Sequence, residues 1–277
     1  MMTSVNYDSK VIYDPTFQPG NQFPVLVRWA RGVAGSYFLS HHADMECHLF
    51  KRGRGFYFIQ GKKVVFNKNS LILIAPNQIH MCMPEHGSYI EKVTLFVMPG
   101  LVKKLPFSEI HSRLALTEKE ATLIQFIFDR IHEEMQAKDP FWNDLIRLRL
   151  SEFAFLVRRI NRRPAPPAVQ HPLVTQILEY LDKHYAESLK ISEVAGQFGY
   201  SEGHLMHLFK RFLGFGIKQY IMQLRIMEAR RMLEQQPQLK VSAIAEMLGF
   251  YDFPVFDRYF KSVTGTTPTA CRRILHQ

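Results

Sequence analysis

The N-terminal third of the chain contains two imidazoles and a carboxylate that are candidates for chemistry. His42 and Glu46 lie four residues apart, and His80 ends the later run Pro76–His80. Such groups either bind a metal ion or hydrogen-bond a small polar molecule. We expect the second, with polar groups at a barrel mouth holding an effector. The predicted effector-binding residues are His42, Glu46, Tyr57 and His80. No catalytic residue, bound metal or cofactor is predicted.

The C-terminal third contains a near-repeat that predicts a second kind of site. The segment from Ile191 aligns with the segment from Val241, so that Ala195 falls on Ala245 and Gly199 on Gly249. One extra residue in the second copy then shifts Leu205 onto Phe256, Phe209 onto Phe260 and Lys210 onto Lys261. Two copies of about 25 residues are too few for a solenoid, so they indicate a duplicated module.

Each copy is typical of a helix-turn-helix. A short helix ends at Gly199 or Gly249, a residue type that readily adopts the left-handed conformation closing a helix. The next helix begins after Ser201 or Asp252, whose side-chain oxygens are placed to cap free backbone N–H groups. In each second helix, apolar residues fall on one face with a period of 3.6.

The opposite faces of these second helices are predicted to enter the major groove of DNA. A buried helical pair without a ligand is the alternative, which two copies with basic outward faces make less favourable. The predicted DNA-binding residues are Ser201, Glu202, Gly203, Met206, His207, Lys210, Phe253, Pro254, Asp257, Arg258 and Lys261.

The spacer between the copies predicts a rigid connection. Residues 217–235 contain neither Pro nor Gly, and Pro237 follows them. At about 1.5 Å per residue such a helix is roughly 28 Å long. Successive major grooves on one side of DNA are about 34 Å apart. One stiff helix would therefore present two recognition helices to adjacent grooves.

This segment resembles the DNA-binding domain of the AraC/XylS family of bacterial transcription regulators. The matching residues are Ser201, Leu205, Phe209, Lys210, Gly214, Tyr220, Arg225, Ala229, Leu233, Ile244, Ala245, Gly249, Phe250, Phe256, Arg258, Phe260, Lys261, Gly265, Pro268 and Arg272. The resemblance implies a seven-helix domain with base contacts from the second helix of each unit. Three departures from the family stand out: Gly203 offers no side chain, Phe253 and Pro254 together offer apolar surface suited to thymine methyls, and Cys271 replaces an aromatic.

The N-terminal segment is similar to the cupin barrel, in the form found in many AraC-type regulators. His42, Glu46 and Gly53 fit the pattern H-x3-E-x6-G. In metal-binding cupins another His stands two residues before the position of His42, where this chain has Ser40. Three candidate ligands remain, and three residues can hold iron, so a metal stays the alternative to an effector.

Short β-branched and aromatic runs from Pro24 to about Met98 favour a barrel or a sandwich. Strand alternation lets only about half of the aromatics face inward. The candidates for a pocket lining are Trp29, Phe38, Phe56, Tyr57 and Phe58. The class predicted for the whole chain is α+β, with this barrel and a helical pair preceding an all-α domain.

Four segments follow from the order of these patterns. Residues 1–116 are predicted to form the effector domain and 117–160 a helical pair, opened by a capping box at Thr117 and Glu120. The pair either packs on the barrel or forms a dimer seam, and the family resemblance favours a homodimer. Residues 161–172 are a Pro-rich linker, and 173–277 are the DNA-binding domain.

Composition and net charge limit the functions that this chain can have. The formal charge of +10 suits a polyanionic partner, although the basic excess is spread along the chain. The three cysteines lack metal spacing and indicate free thiols in a reducing compartment. No signal segment or long apolar run is present, so we expect a cytoplasmic protein with no membrane partner.

We therefore predict a transcription regulator that binds promoter DNA and responds to a small polar effector. The resemblance makes a carbohydrate the first candidate effector, and RNA polymerase a partner if the protein is an activator. The alternative is a metal-dependent cupin enzyme with appended DNA-binding helices. A third hypothesis is a constitutive regulator whose barrel only dimerises.

Overall fold

A computed structural model describes residues 25–33, 39–40, 44–85, 87–103, 105, 107, 112–164 and 171–275. Its N-terminal part is built from short antiparallel strands, as short β-branched and aromatic runs favour. The strands are β1 (Val25–Val33), β2 (Leu39–Ser40), β3 (Met45–Arg52), β4 (Gly55–Ile59), β5 (Lys62–Phe66), β6 (Ser70–Ile74), β7 (His80–Pro84), β8 (Tyr89–Val97) and β9 (Arg113–Ala115).

These strands form two sheets. The five-stranded sheet has the order β1-β8-β3-β6-β9, and the four-stranded sheet has the order β2-β7-β4-β5. Residues from both sheets meet in one interior core, which includes Phe50, Tyr57, Phe66 and Ile72. Phe50 and Phe66 stack there with ring centroids 3.8 Å apart. The two sheets therefore face each other across an apolar layer.

The described part of this region also contains three helices: α1 (Pro99–Val102), which precedes β9, and α2 (Glu118–Ala137) and α3 (Trp142–Ile160), which follow it. The expected capping box at Thr117 and Glu120 is present at the start of α2. The apolar faces of α2 and α3 pack on the outer face of the five-stranded sheet, in one core with β1, β3, β6 and β8. The first of the two roles expected for this pair, packing on the β-layers, is therefore present.

Residues 171–275 contain only helices and their connections. The helices are α4 (Pro172–His184), α5 (Ile191–Gln197), α6 (Glu202–Leu213), α7 (Ile217–Gln235), α8 (Val241–Met247), α9 (Phe253–Thr264) and α10 (Pro268–Leu275). The long helix α7 has the bounds that the sequence predicted. The chain as a whole is a mixed α+β protein with a sheet-rich N-terminal region and a helical C-terminal region.

Helix α7 is shared by two apolar cores. Its N-terminal half contributes Tyr220 and Leu224 to a core with α4, α5 and α6. Its C-terminal half contributes Ile226 and Leu233 to a core with α8, α9 and α10. We call the first group of helices, α4 to α6, the first unit, and the second group, α8 to α10, the second unit.

Candidate DNA-binding surface and buried polar cluster

The second helix of each pair is held by the apolar face that the sequence predicted. In α6, Leu205 and Phe209 are fully buried, and in α9, Phe256 and Phe260 are fully buried. Gly199 and Gly249, with φ of 75° and 73°, close α5 and α8 in the left-handed conformation. Anchoring on one side leaves the other side of each helix at the surface.

All of the predicted DNA-binding residues lie on these two helices or at their N-terminal caps. Every one is exposed except Asp257, which is half-buried. Two further apolar side chains flank them: Tyr251 is 89% exposed in the second turn, and Tyr200 precedes the cap of α6. Tyr200 stacks on His204, with ring centroids 4.8 Å apart. Neither tyrosine was among the predicted DNA-binding residues, although the position of each in its turn indicates an exposed side chain beside the recognition helix.

The two N-caps differ, which corrects one expectation. Ser201 accepts a hydrogen bond from the backbone N–H of His204 at 3.3 Å. Asp252 occupies the equivalent position, but its side chain makes no capping hydrogen bond. Pro254 stands in the first turn of α9, and proline has no N–H to donate. One of the amides that a cap would satisfy is therefore absent, and the prediction that Asp252 caps its helix was wrong.

A second candidate site lies between the two sheets. Glu46 and His48 point inward from β3, and His80 points inward from β7. The Nε2 atom of His80 lies 3.6 Å from Glu46 Oε1, and His48 Nε2 lies 2.5 Å from Glu46 Oε2. The sequence predicted Glu46 and His80 for this site. His42, predicted with them, lies outside the described residues.

A buried lysine completes this polar cluster. Lys92 Nζ donates a hydrogen bond to the Tyr57 hydroxyl at 3.1 Å and lies 3.5 Å from His48 Nδ1. Thr94 Oγ1 lies 2.8 Å from the same His48 nitrogen. The buried polar cluster, as we define it, consists of Glu46, His48, Tyr57, His80, Lys92 and Thr94.

The imidazole of His48 is neutral and lies between the Glu46 carboxylate and the Lys92 ammonium. Burial lowers the pKa of His48 from 6.5 to about 4, with a further lowering from the Lys92 ammonium that the Glu46 carboxylate only partly offsets. The neutral imidazole keeps one proton; because Nε2 faces the Glu46 carboxylate, a proton on Nε2 leaves Nδ1 to accept from Thr94 or Lys92. The cluster thus offers one carboxylate acceptor and one ammonium donor, joined through an imidazole.

His48, Lys92 and Thr94 were not among the predicted residues, although strand alternation from Glu46 indicates His48. His48 follows Glu46 by two residues, so both lie on the same face of β3. Thr94 pairs with His48 across the sheet, and Lys92 pairs with Phe50. Alternation along β3 therefore predicts His48, whereas Lys92 and Thr94 can be assigned only from the pairing of β3 with β8.

The aromatic candidates for a pocket lining divide between three environments. Tyr57 faces the interior. Phe56 and Phe58 point from the opposite face of β4 towards the first unit, where Phe58 and Phe212 meet edge to face with centroids 6.3 Å apart. Trp29 is 38% exposed and contacts His132 of α2. Phe38 lies outside the described residues.

Two absences bear on the sequence hypotheses. Within the described ranges, no three His, Cys, Asp or Glu side chains are grouped as ligands for a metal ion. In the same part of the chain, every helix is too short or too polar to cross a membrane.

The helical C-terminal region is similar to known proteins. Residues 194–274 match a model of a helix-turn-helix domain, which defines α5 to α10 as a DNA-binding module. The chain belongs to the AraC family of transcription regulators. It is 35% identical over 102 residues to the probable transcription factor PqrA of Proteus vulgaris, covering 36% of this chain and 83% of that one.

Two further similarities extend the comparison. The chain is 26% identical over 251 residues to the transcriptional activator RhaR of Salmonella dublin, covering 87% of this chain and 89% of that one. The crystal structure of an AraC-type regulator from Chromobacterium violaceum is also similar, at 27% sequence identity and a TM-score of 0.36. The match covers 38% of this chain and 94% of the chain in that structure. Two other relatives match over only 36% of their length.

Proposed function

We propose that this AraC-family regulator binds promoter DNA through the exposed faces of α6 and α9, each in one major groove. The observation that carries the proposal is the pair of exposed faces on one chain, each opposite a fully buried aromatic anchor. The helix between them is 19 residues long, or roughly 28 Å at about 1.5 Å per residue.

The two faces would make different contacts. On α6, Gly203 has no side chain, so base contacts depend on Glu202, Met206 and His207. On α9, Phe253 and Pro254 offer apolar surface to thymine methyls.

Charged side chains would supply the remaining contacts. Arg258 is suited to a guanine edge, and Asp257 to the amino group of cytosine. Ser201, Lys210 and Lys261 would contact phosphates, which position a protein on DNA without specifying sequence.

A mobility-shift experiment with genomic fragments tests this proposal. We expect a subset of fragments to be retained at physiological salt while bulk competitor DNA is displaced. Binding that is indifferent to sequence would refute specific recognition.

For the N-terminal region we propose a cupin-like effector domain in which the buried polar cluster hydrogen-bonds a small polar molecule. Glu46 supplies acceptors, while Lys92, Tyr57 and the histidines supply donors. This combination suits a polyhydroxylated ligand such as a carbohydrate. We include His42 in the same site on the strength of its sequence motif.

The four-stranded sheet supports a route from such a ligand to the DNA-binding helices. Alternate residues of β7 face opposite ways: His80 belongs to the interior cluster, while Met81 and Met83 pack with the first unit. Thr175 of α4 also donates a hydrogen bond to the Gly61 carbonyl at 3.3 Å. A ligand that moves the inner face of this sheet would therefore move its outer, docked face.

Thermal-shift measurement with a carbohydrate panel tests the effector site. We expect one sugar to raise the melting temperature of the wild type and of Glu85→Gln, which alters an exposed carboxylate. Glu46→Gln should abolish the shift. A ligand shift that survives in Glu46→Gln would move the site elsewhere, and no shift with any sugar would favour a domain that only dimerises.

We propose that α2 and α3 also form a homodimer seam. Their buried faces pack on the sheet, yet Phe126, Phe141, Leu148 and Phe155 are more than half exposed. In α3 these residues follow a seven-residue spacing, which a partner helix can cover. Light scattering should give a dimer for the wild type and a monomer for Leu148→Asp with Phe155→Asp. A dimer that persists in this double variant would contradict the seam.

The second candidate function is a metal-dependent cupin enzyme that carries the DNA-binding helices. Elemental analysis of protein purified without added metal separates the two. We expect no stoichiometric metal, a cytoplasmic protein and, if it activates transcription, contact with RNA polymerase. A tightly held transition metal would favour the enzyme.

A further inference from the structure

The two units contact each other around one residue of the connecting helix. Arg225 lies at the point of α7 where the core of the first unit ends, at Leu224, and that of the second begins, at Ile226. Its side chain is therefore placed between the two recognition modules.

Arg225 binds backbone carbonyls from both sides of this boundary. Its guanidinium donates to the carbonyls of Tyr185 at 2.7 Å and Glu187 at 2.8 Å, in the segment between α4 and α5. It also donates to the carbonyl of Gly249 at 2.7 Å, in the turn between α8 and α9. Three donors of one rigid, planar group thus join the segment between α4 and α5 to the turn between α8 and α9.

The glycines of the two turns differ in how closely the neighbouring unit approaches them. A Cβ atom on Gly249 would lie 2.8 Å from the Ala186 carbonyl and 3.0 Å from the Arg225 guanidinium. A Cβ atom on Gly199, the equivalent position in the first unit, would meet nothing within 4 Å. The turn of the second unit is packed directly onto the first unit, whereas the turn of the first is open.

We propose that Arg225 is a positioning residue that sets the separation of α6 and α9, and through it the half-site spacing that the protein accepts on DNA. The backbone of α7 fixes the distance along its own axis. The turn of the second unit must still be fixed around that axis, and the three carbonyl bonds of Arg225 do this. The inference rests on the proposed DNA binding and adds spacing selectivity to it.

A matched control is available in Arg272. It donates to the carbonyl of Leu239 at 2.6 Å, an arginine-to-carbonyl bond between α10 and the segment that leads into α8. Arg272→Met removes such a bond without touching the contact between the units. Comparing it with Arg225→Met separates loss of positioning from general loosening.

The first experiment uses the full chain and duplexes selected in vitro on the wild type, rebuilt with half-site spacings shifted by one to three base pairs. We expect a sharp spacing optimum for the wild type and Arg272→Met. Arg225→Met should bind the optimal duplex about tenfold more weakly and lose most of its preference between spacings. Arg225→Lys keeps the positive charge but lacks the planar guanidinium with its three donors. It should recover only part of the preference between spacings.

Three results would overturn the inference. One is an unchanged spacing optimum in Arg225→Met, and another is an equal broadening in Arg272→Met. If the wild type selects no duplex sequence at all, the proposed DNA recognition fails and the spacing role fails with it.

A second experiment needs no DNA and so separates these failures. Spin labels at Lys210→Cys and Lys261→Cys, both exposed on their recognition helices, report the distance between α6 and α9. Single-label samples control for the three native cysteines. We expect a narrow distance distribution for wild type and Arg272→Met, and a broad one for Arg225→Met. A narrow distribution in Arg225→Met would refute the positioning role even if DNA binding is confirmed.

Discussion

The two helix-turn-helix units have the same frame but differ at their N-caps, at the packing of their turns and at their outer surfaces. The first has a hydrogen-bonded serine cap, an open turn and an apolar surface docked on the four-stranded sheet. The second has an uncapped N-terminus, aromatic residues and proline at its recognition surface, and a turn held by Arg225. Duplication has preserved the anchoring, while contacts to DNA and to the rest of the chain have diverged.

The largest effects should come from the shared anchors. Phe209→Ala and Phe260→Ala each remove a fully buried ring, at a cost of about 3–5 kcal/mol of unfolding free energy. Hydrogen exchange should show that the two variants lose protection in different regions, because Phe209 lies in a core with β-strand residues and Phe260 does not. Loss of protection in Phe260→Ala should stay within the second unit. An equal spread in both variants would contradict separate cores.

A pH-dependent effect on stability between pH 4 and pH 7 should appear in the first unit. Burial raises the pKa of Asp182 to about 6, only partly offset by a hydrogen bond from Tyr220. The folded state therefore binds this proton more tightly than the unfolded state, and stability falls as pH rises from about 4 to 6. Asp182→Asn should be about 1–3 kcal/mol more stable than wild type at pH 7, with the advantage gone near pH 4.

The control for Asp182→Asn is Glu193→Gln, which neutralises an exposed carboxylate of the same unit. Denaturant unfolding of both variants at pH 4 and pH 7 makes the comparison. A pH-independent gain in Asp182→Asn would show that the raised pKa is not its cause.

Base recognition should be more sensitive in the second unit. Arg258→Ala should cost about 1–3 kcal/mol of binding free energy and relax preference at one or two base pairs. Lys119→Ala, which removes a positive charge from the exposed face of α2, should change the affinity for DNA little. Binding to a panel of single-base operator variants distinguishes base from phosphate contact. A uniform loss across the panel would assign Arg258 to a phosphate.

The smallest predicted difference concerns the caps. Ser201→Ala should cost about 1 kcal/mol, because it removes the hydrogen bond to the His204 amide. Asp252→Ala should cost less than about 0.5 kcal/mol, since no capping bond is lost. Thermal unfolding measures both. Equal costs would show that Asp252 caps its helix in solution.

Local signals in the sequence were sufficient for the helices but not for the β-layers. The bounds of α7 follow from a run without Gly or Pro, and the capping box of α2 from two residues. Which face of β4 meets the interior depends on where the first unit packs, so Phe56 and Phe58 could not be assigned from the sequence. His48 could have been, since alternation from Glu46 is a local rule. The Asp252 cap failed because Pro254 changed the amides available to it.

The most direct test of the account is hydroxyl-radical footprinting of the full chain on a selected duplex. Two recognition helices held rigidly on α7 predict two protected patches for each bound chain, about one helical turn apart on the same side of the DNA. Substitution of Arg258 should remove the preference in one patch only. A single patch for each chain, or two patches on opposite sides, would contradict the account.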